Sequence, residues 1–359
     1  MNFGLSDEQE LLQETVRGFC AVEIPPPRVR ELFDAGAGHD PALWKGLGEL
    51  GVLGLIVPEA YGGAGLELLD LALVAEVLGQ SALPGPFLGH QLVSLALARA
   101  GSDAQKRAWL PRLASGEAIG AVALAEGAAA WEPQTWRARV DGGRVHGTKT
   151  FAAHAALADL LLVGVEGGEL VLVERGAEGL ALADQDGVDR TRPIARVELA
   201  NSPCESLSGG AQTAGRVRDA GLCLLAADAF GAAWRLLHTT IDYAGTRQQF
   251  GSTLTQFQAV KHQLANMATD VEPTRGLWWF AAHAFDQIPA EAERAAAIAK
   301  AHVTDRAMDV ARGAVEVHGG IGFTWECDVQ IWFKRVMFDR AWLGTPELHR
   351  ARSAQLAGW

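Results

Sequence analysis

The sequence has little that would tie it to a nucleic acid, a membrane or a metal. Lys and Arg total 31 against 43 Asp and Glu, a formal net charge of −12, and no long basic run breaks that acidity. A polyanionic partner is therefore not expected. No stretch of about twenty uninterrupted apolar residues occurs, so no transmembrane helix is expected. The four cysteines, Cys20, Cys204, Cys223 and Cys327, are scattered without ligand spacing and read as reduced thiols of a cytoplasmic protein. His238, His262, His302, His318 and His349 share no metal spacing either, so no metal site is expected. No Gly-x-Gly-x-x-Gly follows an expected strand, which argues against a Rossmann-type flavoprotein. The opening "MNFGLSDEQELLQETV" is acidic and helix-like, unlike a targeting leader. No repeat period and no low-complexity segment is present.

What is there is an ordinary globular composition, 49% hydrophobic and 21% charged over 359 residues. That length allows two or three packed layers or domains around a substantial core. The first ~120 residues read mostly as helix. Ser6 is a candidate cap, with acids in the turn that follows. "GVLGLIVPEAYGGAGLE" breaks the pattern with Pro58 and Gly62-Gly63 and reads as a loop. From Ala121 the texture turns to strands. "ARVDGGRVHG" has the form of a hairpin joined by Asp141-Gly142-Gly143, and "ADLLLVGVEGGELVLVERG" holds two apolar runs around a Gly-Gly turn. "IARVELANSPCESL" closes the set by alternation.

Helix returns near Arg216 and persists. Leu222, Ala226, Phe230, Trp234, Leu237 and Ile241 recur every three or four residues, as do Phe257, Val260, Leu264, Met267 and Val271. The Ala-rich "EAERAAAIAKAHVTDRAMDVARGAVEV" is a third long helix, ended by His318-Gly319-Gly320. Trp234, Trp278, Trp279, Trp325, Trp332 and Trp342 fall mainly in this last region and read as core or subunit interface. The expected class is mainly α with a middle β domain, divided 1–120, 121–214 and 215–359.

Three strings, in order and at suitable separation, give the chain a strong resemblance to the acyl-CoA dehydrogenase family over essentially its whole length. They are "LWKGLGELGVLGLIVPEAYGGAGLELLDLALVAEVLG", "YAGTRQQFGSTLTQFQAVKHQLANM" and "EVHGGIGFTWECDVQIWFKRV". The resemblance implies an N-terminal helical domain, a β-barrel-like middle domain and a C-terminal four-helix bundle. It also implies FAD, an acyl-CoA thioester and an electron-transfer acceptor. The implied reaction removes the α-proton of the thioester as the β-hydride passes to flavin, which requires a positioned carboxylate and donors to the thioester oxygen.

Mapped residue by residue, the resemblance is uneven. The family's usual glutamate position is Leu343, before Gly344-Thr345. The other known position, counted back from Tyr243 with Gly231 matching a family glycine, is Gly221. Neither residue can accept a proton. Asp219 and Glu347 are the nearest acids in sequence. For the flavin ring, the matching string is "LAEGAAAWEP", with Ala125 in the place of a threonine. The Trp-x-Ser/Thr of the next strands becomes Phe151-Ala152-Ala153. By contrast, the surface that a protomer lends to its neighbour's FAD is kept. Arg247 matches the phosphate-binding arginine and Phe250 its aromatic neighbour. Gln249, Leu254 and Phe257 flank them, while Glu316, Gly319 and Gly320 match the Gln/Glu and Gly-Gly of that surface. From the residues alone, Arg247 also fits a helix-surface ion pair and the glycines a plain helix C-terminus.

The uneven match implies a chain without its own base that completes the FAD site of a homologous catalytic subunit. The implied assembly is an α2β2 heterotetramer, of a kind associated with bulky steroid side-chain CoA thioesters. Two alternatives stay open. One is a self-sufficient homomer whose base has moved to Asp219 or Glu347. The other is a flavin-free scaffold that binds CoA thioesters.

Overall fold

A computed structural model of the protein describes residues 4–128 and 130–359. Of the stretches quoted above, the first three residues and Ala129 of "LAEGAAAWEP" lie outside them. The helices in chain order are α1 (Asp7–Glu23), α2 (Pro26–Ala35), α3 (Pro41–Glu49), α4 (Leu68–Gln80), α5 (Phe87–Ala100), α6 (Asp103–Ser115), α7 (Gly210–Thr246), α8 (Gln258–Val271), α9 (Thr274–Gln287), α10 (Pro289–His318), α11 (Val329–Ala341) and α12 (Pro346–Leu356). The strands are β1 (Gly120–Ala123), β2 (Arg139–Asp141), β3 (Arg144–Ala153), β4 (Leu160–Val165), β5 (Glu169–Glu174), β6 (Leu180–Gln185), β7 (Ile194–Pro203), β8 (Glu205–Ser206), β9 (Gln248–Gln249) and β10 (Ser252–Thr253). They form two compact units: Met1–Asp34, Ala72–Leu83 and Leu222–Trp359 in one, Ala35–Leu71 and Pro84–Gly221 in the other.

The first unit is helical. The Ser6 hydroxyl accepts from the Gln9 N–H and the Gln9 side chain returns the bond, so α1 starts on a full capping box. Two glycines let α4 and α7 touch backbone to backbone. A Cβ on Gly79 would lie 2.2 Å from the Asp228 carbonyl oxygen, and one on Gly231 would lie 2.0 Å from that of Glu76. Neither position has room for any side chain. Beside this crossing, Arg335 of α11 donates through Nε and Nη2 to the two oxygens of Asp228, each at 2.8 Å, and through Nη1 to the Leu83 carbonyl. Helix α10 lies at the centre, with alanines making up half of its buried residues so that α8, α9, α11 and α12 approach it closely. Gly319, at φ 66°, ends it and donates to the carbonyls of Val315 and Glu316. Residues 222–237 of α7 are buried all round apart from Trp234 and Arg235, which are half-buried, so this stretch is a core helix with no amphipathic stripe. Among the described residues α7 alone is long and apolar enough to cross a membrane, and 89% of its most apolar stretch is inside the protein.

The second unit carries the strands. One sheet has the order β1-β4-β5-β8, parallel only between β1 and β4; the other is antiparallel with the order β2-β3-β7-β6. Their facing side chains, including Val145, Leu161, Val163, Val171, Val173, Val197 and Leu199, make one apolar cluster. The period-2 alternation in β7, with Ala195, Val197 and Leu199 in and Arg196 and Glu198 out, is the pattern read from the sequence. The β2–β3 hairpin turns on Gly142-Gly143 alone, both at positive φ, while Asp141 is already paired with Arg144 in the ladder.

Candidate functional site

Most residues expected to touch a neighbour's cofactor gather at one end of the helical unit. Arg247 follows directly on α7, its N–H donating to the Tyr243 carbonyl at 2.8 Å. The chain then makes the β9–β10 hairpin, whose two-residue turn is Phe250-Gly251 at φ 50° and 79°. The Leu254 N–H closes the loop on the Arg247 carbonyl at 2.9 Å. Phe250 is 94% exposed and meets Phe257 edge-on at 6.2 Å. Gln249 is exposed, and Leu254 and Phe257 are half-buried. Tyr243 joins this segment to the end of α10. Its ring stacks on His318 at 4.2 Å and its hydroxyl donates to the His318 carbonyl. Gly319 and Gly320 follow, and a Cβ on either would meet nothing within 4 Å. Gly319 is thus the helix terminator that its sequence context suggests, and Gly320 opens onto free space. Glu316, one turn earlier, accepts from Gln263 Nε2 at 2.9 Å. Arg247 is exposed, and its guanidinium makes no hydrogen bond or ion pair among the described residues. Downstream, Ile321 and Phe323 are exposed as well.

The two candidate base positions and their nearest acids are laid out differently. Leu343 sits just past α11 at φ 58° with 2% of its surface exposed. Its carbonyl is 2.9 Å from His349 Nε2. A Cβ on Gly344 would lie 2.7 Å from Leu348 and 2.9 Å from His349, so the next residue must be glycine. Glu347, in the first turn of α12, accepts from Arg340 Nη2 at 2.9 Å. Its own N–H, then the Thr345 hydroxyl and Arg340, hold its carboxyl below the usual carboxylate range. In the β-containing unit, Gly221 lies in α7 two residues after Asp219. Arg218 grips Asp219 Oδ1 through Nε at 3.0 Å and Nη2 at 2.9 Å, and both side chains are buried. Each acid is therefore held by an arginine, a poor starting point for accepting a proton.

At the positions matched to the flavin-ring seat, Ala125 and Ala153 are buried and present only methyl groups. The Ala125 carbonyl accepts from the Thr150 N–H at 2.9 Å. A bulge between Lys149 and Ala152 puts Phe151 at φ 54°. Its N–H donates to Gln185 Oε1 at 2.8 Å and its ring stacks on Trp131 at 6.3 Å. Next to Ala125 the structure adds a feature that sequence reasoning missed. Lys149, fully buried, donates to Glu126 at 2.6 Å and to the Leu124 carbonyl at 3.2 Å. Burial brings its pKa down to about 8, against the opposing pull of Glu126. Burial alone would raise Glu126, but the Lys149 hydrogen bond and the N–H groups of Arg137 and Ala138 leave it below the usual range. These partners stand 23 residues apart, and only the β3 register brings them together.

The side chains thus leave an exposed guanidinium at Arg247 and present no hydroxyl at 125 or 153. Comparison with known proteins gives this geometry its family. Residues 6–117 match the profile for the acyl-CoA dehydrogenase N-terminal domain and residues 219–357 that for the C-terminal domain. The chain is 31% identical over 346 residues to acyl-CoA dehydrogenase IpdE2 of Mycolicibacterium smegmatis, across 95% of this chain and 96% of that protein. The Tcur3481–Tcur3483 steroid ACAD superposes with a TM-score of 0.90 at 30% identity, covering 98% of both chains. A glutaryl-CoA dehydrogenase from Mycobacterium smegmatis solved with FADH2 gives 0.88 at 26% identity, over 99% of this chain and 96% of that one. The chain belongs to the acyl-CoA dehydrogenase family, FAD-binding oxidoreductases that act on CH–CH groups.

Proposed function

We propose that this chain is the base-lacking subunit of a two-component acyl-CoA dehydrogenase, and that it completes the FAD site of a homologous catalytic partner in an α2β2 assembly. The observation that carries this reading is a contrast within one chain. An exposed guanidinium with no hydrogen-bond or ion-pair partner among the described residues stands at Arg247, while both base positions hold residues that cannot take a proton. When bound, FAD supplies the hydride acceptor for α,β-desaturation of a thioester held by the partner. This chain's share is binding and orientation. Arg247 pairs with the pyrophosphate, for which a guanidinium is suited by charge and by its fork of donors. The backbone at Gly319 and Gly320 admits close approach with no Cβ in the way. Phe250, Leu254 and Phe257 supply apolar contact, with Gln249 and Glu316 at their polar margin. The exposed Phe250, Ile321 and Phe323 suit a surface that another chain covers.

The likeness to IpdE2 and to a steroid ACAD named as two components favours a bulky, steroid-derived acyl-CoA as the partner's substrate. An electron-transfer acceptor then reoxidises the complex, and the scheme places it in the cytoplasm. The family's three-domain division, 1–120, 121–214 and 215–359, is retained for this chain. The test is cofactor stoichiometry. Purified alone, the chain should be colourless; assembled with its partner, the complex should hold one FAD per pair of chains. A yellow homomer that reduces a dye with acyl-CoA would overturn the proposal. Asp219→Asn and Glu347→Gln should leave the activity of the complex within a few-fold of wild type. Loss of a true general base costs roughly 10²–10⁴ in rate, so a drop of that size at unchanged FAD content would favour a relocated base.

A further inference from the structure

The helical unit contains a cavity of about 360 Å³ that the proposed function does not use, formed where α1, the start of α2 and the end of α4 meet α7 and α11. Its size falls in the range of small-molecule sites. In a chain of net charge −12, its only charged lining residues are two arginines, Arg17 and Arg235. Neither forms an ion pair among the described residues. Glu76, which is engaged by Gln13 and Arg275 and also lies within electrostatic reach of Arg17, does not line the cavity. Arg17, at the rim, has one long bond to Gln13 at 3.4 Å. Arg235 is half-buried over the ring of Trp332 at 5.4 Å, and its Nε is buried with no hydrogen-bond partner among the described residues. Trp332 is tied down by its Nε1, which donates to the Gln80 carbonyl at 3.0 Å. A buried donor left without an acceptor is costly, so the guanidinium favours an anion that reaches it. Apolar residues also line it: Ile24 and Val29 are buried, and Pro25 lies in the turn from α1 to α2.

We propose that this cavity binds a small amphipathic carboxylate, with its head between Arg17 and Arg235 and its apolar part along Ile24, Pro25 and Val29. Two guanidiniums and an otherwise uncharged lining match a single negative charge better than a polyphosphate. The test is calorimetric titration of the full-length chain, alone and in complex, with three probes. Octanoate has the charge and the tail, 1-octanol only the tail, and inorganic phosphate only the charge. Octanoate should bind, and the other two at least about tenfold more weakly. Arg235→Gln should lower octanoate affinity roughly ten- to hundredfold, the loss expected for a charge-assisted hydrogen bond. Arg235→Lys should recover only part, having a point charge in place of a fork. Ala21→Trp, an exposed lining position on α1, should block the cavity while leaving both arginines in place. It decides the matter if Arg235→Gln unfolds the protein, as judged by thermal denaturation. Absent octanoate binding, equal binding of octanol or phosphate, or full octanoate affinity in Ala21→Trp overturns the proposal.

Discussion

Replacing Arg247 by alanine separates binding from folding with unusual clarity. In most proteins an arginine truncation loses internal contacts as well as ligand contacts. Here the guanidinium makes no hydrogen bond or ion pair to the described residues, and the loop that carries it is held by backbone bonds that Arg247 donates to Tyr243 and Leu254 donates to Arg247. The unfolding free energy should therefore stay within about 0.5 kcal/mol of wild type. If Arg247 faces a pyrophosphate, the truncation removes a charge-assisted hydrogen bond worth about 1.5–3 kcal/mol. At about 1.36 kcal/mol per decade that is a roughly ten- to hundredfold loss of FAD affinity. The assay is FAD titration of the assembled complex at limiting cofactor, with urea unfolding of the isolated chain in parallel. Phe151→Ala is the matched control. It removes a ring stacked on Trp131, so it should cost stability while leaving FAD content unchanged. If Phe151→Ala strips flavin and Arg247→Ala does not, the assignment of the two halves is reversed and the proposed assembly fails.

Leu343→Glu alone should not yield a working homomer, because Ala125 and Ala153 still offer no hydroxyl; measurable acyl-CoA oxidation by this purified variant would show the ring seat to be intact. Lys300 is fully buried, donating to the carbonyls of Asp339 and Arg340, and burial brings its pKa down from 10.5 to about 7. Between those values the unfolded chain holds a proton that the folded chain does not, so stability from this group rises with pH across that window. Wild type should gain on Lys300→Met in urea unfolding as pH climbs from about 7, and parallel stability curves would contradict the assignment. Arg335→Met strips the buried Asp228 of its two-point partner and should cost about 3–5 kcal/mol; a loss below about 1 kcal/mol would mean that Asp228 is protonated or hydrated in the native state.

The sequence made the helices and the strands legible for local reasons. Ser6 and Gln9 advertise a helix start, Gly319 its end, and β7 alternates cleanly. It overstated the amphipathic stripe of α7, because residues 222–237 are buried on nearly every side and hide that stripe among equally apolar faces, while Ile241 beyond them is exposed. In α8 the same periodicity led to a stripe that only Met267 and Val271 bury fully within the chain, leaving Val260 and Leu264 half-exposed. The hairpin reading at Asp141 was one residue too wide, since the ladder already includes that aspartate. Long-range pairs were out of reach. Nothing near Lys149 in sequence announces Glu126, and nothing near Arg335 announces Asp228 107 residues away. The junction of Arg247 with Gly319 was similarly legible only by resemblance, because the Tyr243–His318 stack that joins them spans 75 residues. Nor do the arginines at Asp219 and Glu347 declare themselves as clamps until the side chains are placed.

Phe250 is costly to its own chain twice over. At φ 50° it occupies a backbone region where an L-residue loses about 1–2 kcal/mol that glycine would not. With 94% of its surface exposed, its ring recovers almost nothing by burial. Glycine, or asparagine, would make the β9–β10 turn more stable in the isolated protein. The proposed assembly gives such a residue a reason that the isolated chain lacks. The turn can be used as a gauge of that outside demand. If the proposed assembly holds, the stability that Phe250→Gly restores to the free chain, set against the assembly that it forfeits, measures how far this turn was shaped by a neighbouring molecule.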